Sequence, residues 1–166
     1  EAGGADGAQY ASMLDAVQYQ WATVLVLTLD RPLSEIYWLT MTDDDAPFVV
    51  AVEQTNFIPA EVYGGNHIVY FSDYMSPNDP MSQMSVEEIL DLYEPWIRRI
   101  NPAFDRSWIR DQWIFRDRAG QPVVRVGYHE IIPPHRTPIA GLYLANTTQI
   151  YPEDRGQNYS LRMGRR

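Results

Sequence analysis

The sequence predicts an α+β fold, in which an antiparallel or mixed sheet has one long helix packed on one face. Strand-like segments rich in β-branched residues occur both before and after a single, strongly amphipathic helix. Strands and helices do not alternate strictly, as they would in a doubly wound parallel sheet. The 166 residues, of which 45% are hydrophobic, are enough to bury a core.

The first half of the chain contains one short helix and most of the predicted strands. Apolar side chains at helical spacing, from Tyr10 to Val17, predict an amphipathic helix over residues 8–20. The apolar run over residues 22–29 predicts a buried strand, which closes at a turn beginning with Asp30. Further strands are predicted over residues 36–41, 48–54 and 67–72, with turns at 43–47 and 63–66.

The long helix has the clearest signals. Ser85 and Glu88 form the capping-box pattern that starts a helix, and apolar residues keep helical spacing from Val86 to Ile100. Pro95 lies inside this pattern and is expected to kink or restart the helix, because proline cannot donate the ladder hydrogen bond. The helix is expected to end by Asn101.

The second half is predicted to contain short strands and the start of a last helix. Strands are predicted over residues 113–116 and 123–127, separated by a turn at 117–120. A late strand over residues 141–145 is followed by a polar loop and by a helix beginning near Leu161. Because the first residue is Glu1 and this helix begins close to Arg166, we expect the chain to be a piece of a longer protein.

Composition argues against several classes of function. A formal net charge of -9 without a basic run argues against nucleic-acid binding. All thirteen basic residues are Arg, so a Schiff-base or P-loop lysine is excluded, and zero cysteines exclude disulfides and thiolate sites. No apolar stretch is long enough to span a membrane, and we expect a cytoplasmic location.

A metal site is not expected. His129, Glu130 and His135 lack the spacing of a helical zinc motif, and Pro133 and Pro134 interrupt any helix between the two histidines. The acidic triplet over residues 43–45 lacks the alternating pattern of a calcium loop and is interpreted as a solvated turn.

The segment over residues 141–166 resembles the C-terminal flavin motif of the flavin-containing amine oxidase, protoporphyrinogen oxidase and phytoene desaturase superfamily. The resemblance covers roughly residues 10–166 and extends to landmarks of uncharacterised family members at residues 37–39, 47–48, 53–57, 63–65, 101–104, 121–122 and 136–138. It implies a substrate-side domain over residues 1–140, and the closing strand, loop and helix start of an FAD-binding domain over residues 141–166.

The resemblance also implies which residues contact the flavin. They follow the late strand and lead into the last helix, and they are Asn146, Asp154, Arg155, Gly156 and Asn158. Many family members have Asp where this chain has Asn146, so the predicted partner of the ribityl chain is neutral. The alternative is that these polar residues only satisfy a turn and a helix cap. The glycines over residues 3–7 lack the spacing of the pyrophosphate-binding motif, so this chain alone is not expected to retain FAD.

Candidate substrate-binding residues lie at the ends of the predicted strands. Polar side chains close one strand, and the next strand begins with further polar and aromatic groups; the candidates are Glu53, Thr55, Asn56, His67 and Tyr70. The alternative for Glu53, Thr55 and Asn56 is that their side chains only form hydrogen bonds within the turn at the end of the strand. An aromatic wall is a further expectation, built from Tyr63, His67, Tyr70, Trp96 and Trp113, although aromatic residues are more often core.

The leading functional hypothesis is therefore an FAD-dependent oxidoreductase of the amine oxidase type, in which this domain shapes the substrate pocket over the flavin. The substrate would be a small organic molecule, and no catalytic residue is assigned, because the flavin can accept hydride directly. Two alternatives remain open. One is a non-catalytic α+β ligand-binding module, and the other is a flavin-dependent isomerase or desaturase.

Overall fold

The computed structural model describes residues 5–165, so the glycines at positions 3 and 4 lie outside the described residues. The chain divides into two compact units. One comprises Gln20–Gly120, and the other comprises the described parts of Glu1–Tyr19 and Gln121–Arg166. The domain boundary at residue 140 that the resemblance implies stays a prediction.

A five-stranded antiparallel sheet organises the fold. Its strands are β1 (Tyr19–Leu29), β2 (Trp38–Thr40), β3 (Val50–Glu53), β4 (His67–Met75) and β5 (Ile109–Pro122), and their order across the sheet is β2-β3-β4-β1-β5. The helices are α1 (Ala5–Asp15), α2 (Val86–Ile100) and α3 (Gln157–Gly164). The predicted α+β class is confirmed.

The core lies between one face of the sheet and α2. Side chains alternate between the two faces of a strand, so Leu25, Leu27 and Leu29 of β1 point to the same side. Leu25 pairs with Phe71 of β4, and these residues form one buried cluster with residues of α2 such as Ile97. The predicted packing of the long helix on one face is therefore observed.

The capping box of α2 is present as predicted. The Glu88 backbone N–H donates to Ser85 Oγ at 3.2 Å, and the Ser85 N–H donates to Glu88 Oε2 at 2.7 Å. The helix continues through Pro95 to Ile100 without interruption, so Pro95 does not restart it. Asn101 follows the helix, and its Nδ2 donates to the Leu33 carbonyl at 2.8 Å.

Two boundaries in the sequence prediction are wrong. The first helix ends at Asp15, and β1 already begins at Tyr19. The predicted turn at 117–120 lies within β5, which runs unbroken to Pro122. Gly120 indicates a close approach of strands there, because a Cβ at this position would come 2.6 Å from the Ala22 Cβ.

The two late strands are also corrected. Residues 123–127 form no strand and end at Gly127, whose φ of 79° belongs to a turn. Residues 141–145 contain only an isolated bridge between Tyr143 and Arg136, supported by the Leu144 N–H donating to the His135 carbonyl at 2.7 Å. The last helix is present, but it begins at Gln157, four residues before the predicted start.

Candidate functional site

The sheet face opposite the core carries a row of aromatic side chains. Strand register places Val26, Tyr70 and Val52 side by side across β1, β4 and β3, and Trp38 follows on β2. On β5, Ile114 packs on the core, so its neighbours Trp113 and Phe115 point to the opposite face. We call this surface the aromatic face, and define it by Trp38, Tyr70, Tyr74, Trp113 and Phe115.

The aromatic face is exposed, and its part on β1 to β4 carries no charged side chain. Trp38 and Phe115 are each 58% exposed, and Trp113 is 45% exposed. None of the residues of β1 to β4 that share this face is Asp, Glu, Arg or His: they are Ala22, Val24, Val26, Thr28, Trp38, Thr40, Val50, Val52, Ile68, Tyr70, Ser72 and Tyr74. An exposed apolar patch of this kind is characteristic of a binding surface.

Tyr70 is the predicted substrate residue that lies on this face. It is half-buried between Val26 and Val52. Burial raises the pKa of its hydroxyl, and the charge of Tyr63 raises it further. The phenol therefore stays neutral at physiological pH and can donate a hydrogen bond.

Glu53 lies on the other side of the sheet. It pairs with Val69 on the core face and is only 2% exposed. Its carboxylate accepts from the Leu33 N–H at 2.8 Å, the Ser34 N–H at 2.7 Å and the Ser34 Oγ–H at 3.0 Å. These bonds hold the loop after β1, which is the strand-end turn chemistry that the sequence left open.

The remaining substrate candidates also make local bonds. Thr55 Oγ1 accepts from the Ile68 N–H at 3.3 Å, and Asn56 Nδ2 donates to the Ser34 carbonyl at 3.0 Å. His67 begins β4 opposite Leu29, on the core face. The five candidates therefore do not converge on one site, and their substrate roles stay predictions.

The predicted aromatic wall is divided in the same way. Trp113 lies on the aromatic face, whereas Trp96 packs on the core cluster beneath the guanidinium of Arg99, 4.2 Å from its ring centroid. The Tyr63 hydroxyl accepts from Gln54 Nε2 at 3.4 Å. Sequence reasoning missed Trp38 and Phe115, although the period-2 alternation of each strand placed them on the face opposite Leu39 and Ile114.

The predicted flavin residues lie in the other unit, around a groove beside α3. This groove has a volume of about 800 Å³ and is lined by Thr147, Arg155, Gly156, Gln157, Ser160, Leu161, Gly164 and Arg165. Gly156 is the N-cap of α3 and has no side-chain cap. The first amides of α3 follow it, and amides at a helix N-terminus favour an electron-rich group.

The other predicted flavin residues have local partners. Asn146 Oδ1 accepts from the Thr148 N–H at 3.1 Å and caps a short 3₁₀ helix over Thr147–Gln149. Asp154 Oδ1 accepts from the Arg155 N–H at 2.7 Å. Gly156 has a φ of -168°, an extended conformation, so a positive φ is not the reason for glycine there. Asn158 is exposed on α3.

Two further properties concern the described residues alone. Within residues 5–165, no group of three or more His, Cys, Asp or Glu side chains is arranged to hold a metal ion. The described helices include none with the length and apolarity needed to cross a bilayer.

Asp73 is a titratable group on the core side of β4. Burial is the main cause that raises its pKa to about 6, with a smaller contribution from the negative charge of Asp79. A hydrogen bond with the Tyr74 backbone opposes the shift. The carboxyl is thus poorly solvated in the folded protein compared with the unfolded chain.

We expect Asp73 to make stability depend on pH. Its folded pKa is above the unfolded value of 3.8, so the native state binds the proton more tightly. This contribution is complete below pH 3.8 and is lost as the pH rises through 6. The free energy of unfolding should fall by about 1–3 kcal/mol over this range.

Urea unfolding from pH 3.5 to 7.5 measures this effect as the difference between wild type and Asp73→Asn. The exposed Asp44→Asn provides the control and should follow the wild-type profile. Parallel profiles for wild type and Asp73→Asn would contradict the assignment.

No protein-family model matches the chain, and no curated protein sequence matches it. Solved structures do match in fold. A reduced UDP-galactopyranose mutase is similar with a TM-score of 0.59 and 17% identity, over 76% of this chain and 27% of the mutase chain.

Two other similar structures are described as oxidoreductases. An oxidoreductase from Methanosarcina mazei matches with a TM-score of 0.59 and 20% identity, over 84% of this chain and 31% of its own. A proposed protoporphyrinogen oxidase from Exiguobacterium sp. 255-15 matches with a TM-score of 0.60 and 13% identity, over 82% and 32%. The chain shares its fold with part of these enzymes and spans less than a third of their length.

Proposed function

We propose that this chain is the substrate-side domain, with the closing stretch of the flavin site, of an FAD-dependent oxidoreductase of the amine oxidase type. The observation that carries the proposal is the aromatic face, an exposed sheet surface without charged side chains on β1 to β4, whose opposite side is filled by α2. In the proposed enzyme this face is a wall of the pocket over the flavin. The shared fold with two oxidoreductases supports the assignment.

The chemistry of the face favours a particular class of substrate. A surface of Trp, Tyr, Phe and Val side chains stabilises flat, apolar molecules and does not compensate a buried charge. Tyr70 supplies a neutral hydroxyl near the centre of the row. The preferred substrate is therefore an uncharged, largely planar organic molecule that accepts a hydrogen bond.

In this proposal the groove beside α3 holds the edge of the flavin. Arg155 and Gly156 line it, and the N-terminus of α3 has no side-chain cap that would compete with a ligand. When bound, FAD would supply the acceptor for a hydride. In this proposal Arg155 and the first amides of α3 hold an electron-rich edge of the cofactor, with Asp154 and Asn158 nearby. The Asn146 side chain contacts the ribityl chain.

The remaining parts of the proposal concern the whole protein. The pyrophosphate of FAD would be held by a preceding FAD-binding domain of the same polypeptide, in a cytoplasmic enzyme acting on a small molecule. The 166 residues alone would purify without flavin.

A flavin-dependent isomerase is the second candidate, because a mutase is among the similar structures. Turnover that needs no electron acceptor would favour the isomerase.

Gly156→Val in the full-length enzyme tests the assignment of the groove. The backbone at Gly156 is extended, and the atom nearest to an added Cβ is the flexible Asn158 Oδ1, at 2.6 Å. Valine is a poorer N-cap than glycine, so the apo protein should lose about 1 kcal/mol of stability, while the branched side chain obstructs the cofactor and lowers FAD occupancy much more. We expect FAD occupancy after desalting, measured by absorbance, to fall at least about tenfold, an effect of roughly 1.4 kcal/mol.

Apo stability is the internal control of this experiment, measured as the thermal midpoint after removal of the flavin. Equal FAD retention by mutant and wild type would remove the groove from the flavin site. A fall in FAD retention that is matched by a fall in apo stability would show that the substitution acts on folding instead.

A further inference from the structure

A buried polar cluster lies on the core side of the sheet, on the face opposite the aromatic face. Thr23 and Tyr93 are both 0% exposed, and neither hydroxyl has a hydrogen-bond partner among the described protein groups. A hydroxyl buried without a partner costs about 1–3 kcal/mol. Two of them within one core call for an explanation.

Both hydroxyls belong to residues near the Asp73 carboxyl. Thr23 and Asp73 are directly paired across β1 and β4, on the same face of the sheet. Tyr93 reaches this face from α2, with its ring centroid 6.3 Å from that of Phe71, two residues before Asp73 on β4. The negative charge of Asp73 acts on the Tyr93 hydroxyl strongly enough to contribute to raising its pKa.

We propose that Thr23, Tyr93 and Asp73 bind one internal water molecule. Side chains directly opposite in an antiparallel pair have Cβ atoms about 4.5–5.5 Å apart. Although the two residues are neighbours, the Thr23 hydroxyl makes no direct bond to Asp73, and a water between them can bridge the two groups. The water accepts from the hydroxyls of Thr23 and Tyr93 and donates to the Asp73 carboxyl, so that all three groups are satisfied.

The surrounding charges favour water over a cation. Arg116 lies close enough to lower the pKa of Tyr93, and its guanidinium donates to the carbonyls of Met81, at 3.1 Å, and Met84. Asp79 is the other charged group that acts on the cluster, and its carboxylate accepts from the Met81 N–H at 2.9 Å. A cation beside Asp73 would meet this fixed guanidinium, whereas a neutral water meets no repulsion.

Tyr93→Phe tests the water through the sign of its effect. If the hydroxyl is bound to a water, its removal breaks a hydrogen bond and should raise the unfolding constant about fivefold to tenfold. If it has no partner, its removal should lower the unfolding constant. Tyr128→Phe gives the reference for a partnered buried hydroxyl, because Tyr128 Oη donates to the Thr148 carbonyl at 2.8 Å.

The double variant Thr23→Val with Tyr93→Phe tests whether the two hydroxyls share the same water. Both single variants should lower the urea midpoint at pH 7, and the double variant should lower it by less than the sum, because the shared water is lost only once. A higher midpoint for Tyr93→Phe, or strictly additive losses, would overturn the proposal.

Nuclear magnetic cross-relaxation gives a second measurement, whose wild-type part does not depend on the variants folding. A long-lived water should show cross-relaxation with the Thr23 methyl group, and this signal should disappear in Tyr93→Phe. Absence of the signal in wild type would contradict an internal water.

Discussion

Glu53→Gln should destabilise the protein by about 2–4 kcal/mol, the largest expected effect of a single-atom change in the chain. The Glu53 carboxylate is buried and accepts three hydrogen bonds from the backbone and side chain of residues 33–34. The amide of Gln offers one acceptor oxygen in place of two, so at least one buried N–H of the loop loses its partner. A donor that faces the new NH₂ group adds repulsion.

Urea unfolding at pH 7 measures this effect, with Glu61→Gln as the matched control. Glu61 is exposed, and its substitution should change the free energy of unfolding by less than about 0.5 kcal/mol. Equal unfolding midpoints for the two variants would show that Glu53 does not anchor the loop. The same comparison separates an anchor from a substrate residue, since a residue used only for binding would leave unfolding unchanged.

Ile97→Ala should cost about 2–5 kcal/mol of stability, through lost burial and the cavity left behind. Ile97 is fully buried on α2 against the sheet. Leu92 lies on the same helix, is 40% exposed, and loses the same number of carbon atoms on substitution by alanine. Leu92→Ala should therefore cost much less, and the difference isolates packing on the sheet from helix propensity.

Thermal and urea unfolding of these two variants test whether α2 closes one face of the sheet. The prediction would be wrong if Leu92→Ala destabilised the protein as much as Ile97→Ala. That result would mean that α2 buries a different face, and the core would then need to be reassigned.

The parts of the fold predicted well are those with a strong local signal. The capping box at Ser85 and the apolar stripe of α2 both follow from side chains that are neighbours on one helix. The wrong predictions are at positions whose structure is determined by contacts with residues far away in the sequence. Gly120 resembles a turn residue in the sequence, but it is glycine because β5 approaches Ala22 of β1.

The candidate site was harder to predict, because its residues come from separate strands. Tyr70 and Trp113 were expected to line a pocket, but only the strand order and register show that they share a face with Trp38. Glu53 was expected there as well, but it lies one position out of phase with Val52 and points into the core. A single residue of register decides between the two faces.

Flavin analysis of the full-length protein tests the central claim most directly. The protein would be purified without added cofactor, denatured, and the released flavin quantified by absorbance and chromatography. The account predicts about one FAD for each polypeptide, a ratio that follows from a single dinucleotide site, and no flavin in the 166-residue chain alone. A full-length protein that contains no flavin, and gains none when incubated with FAD, would contradict the account.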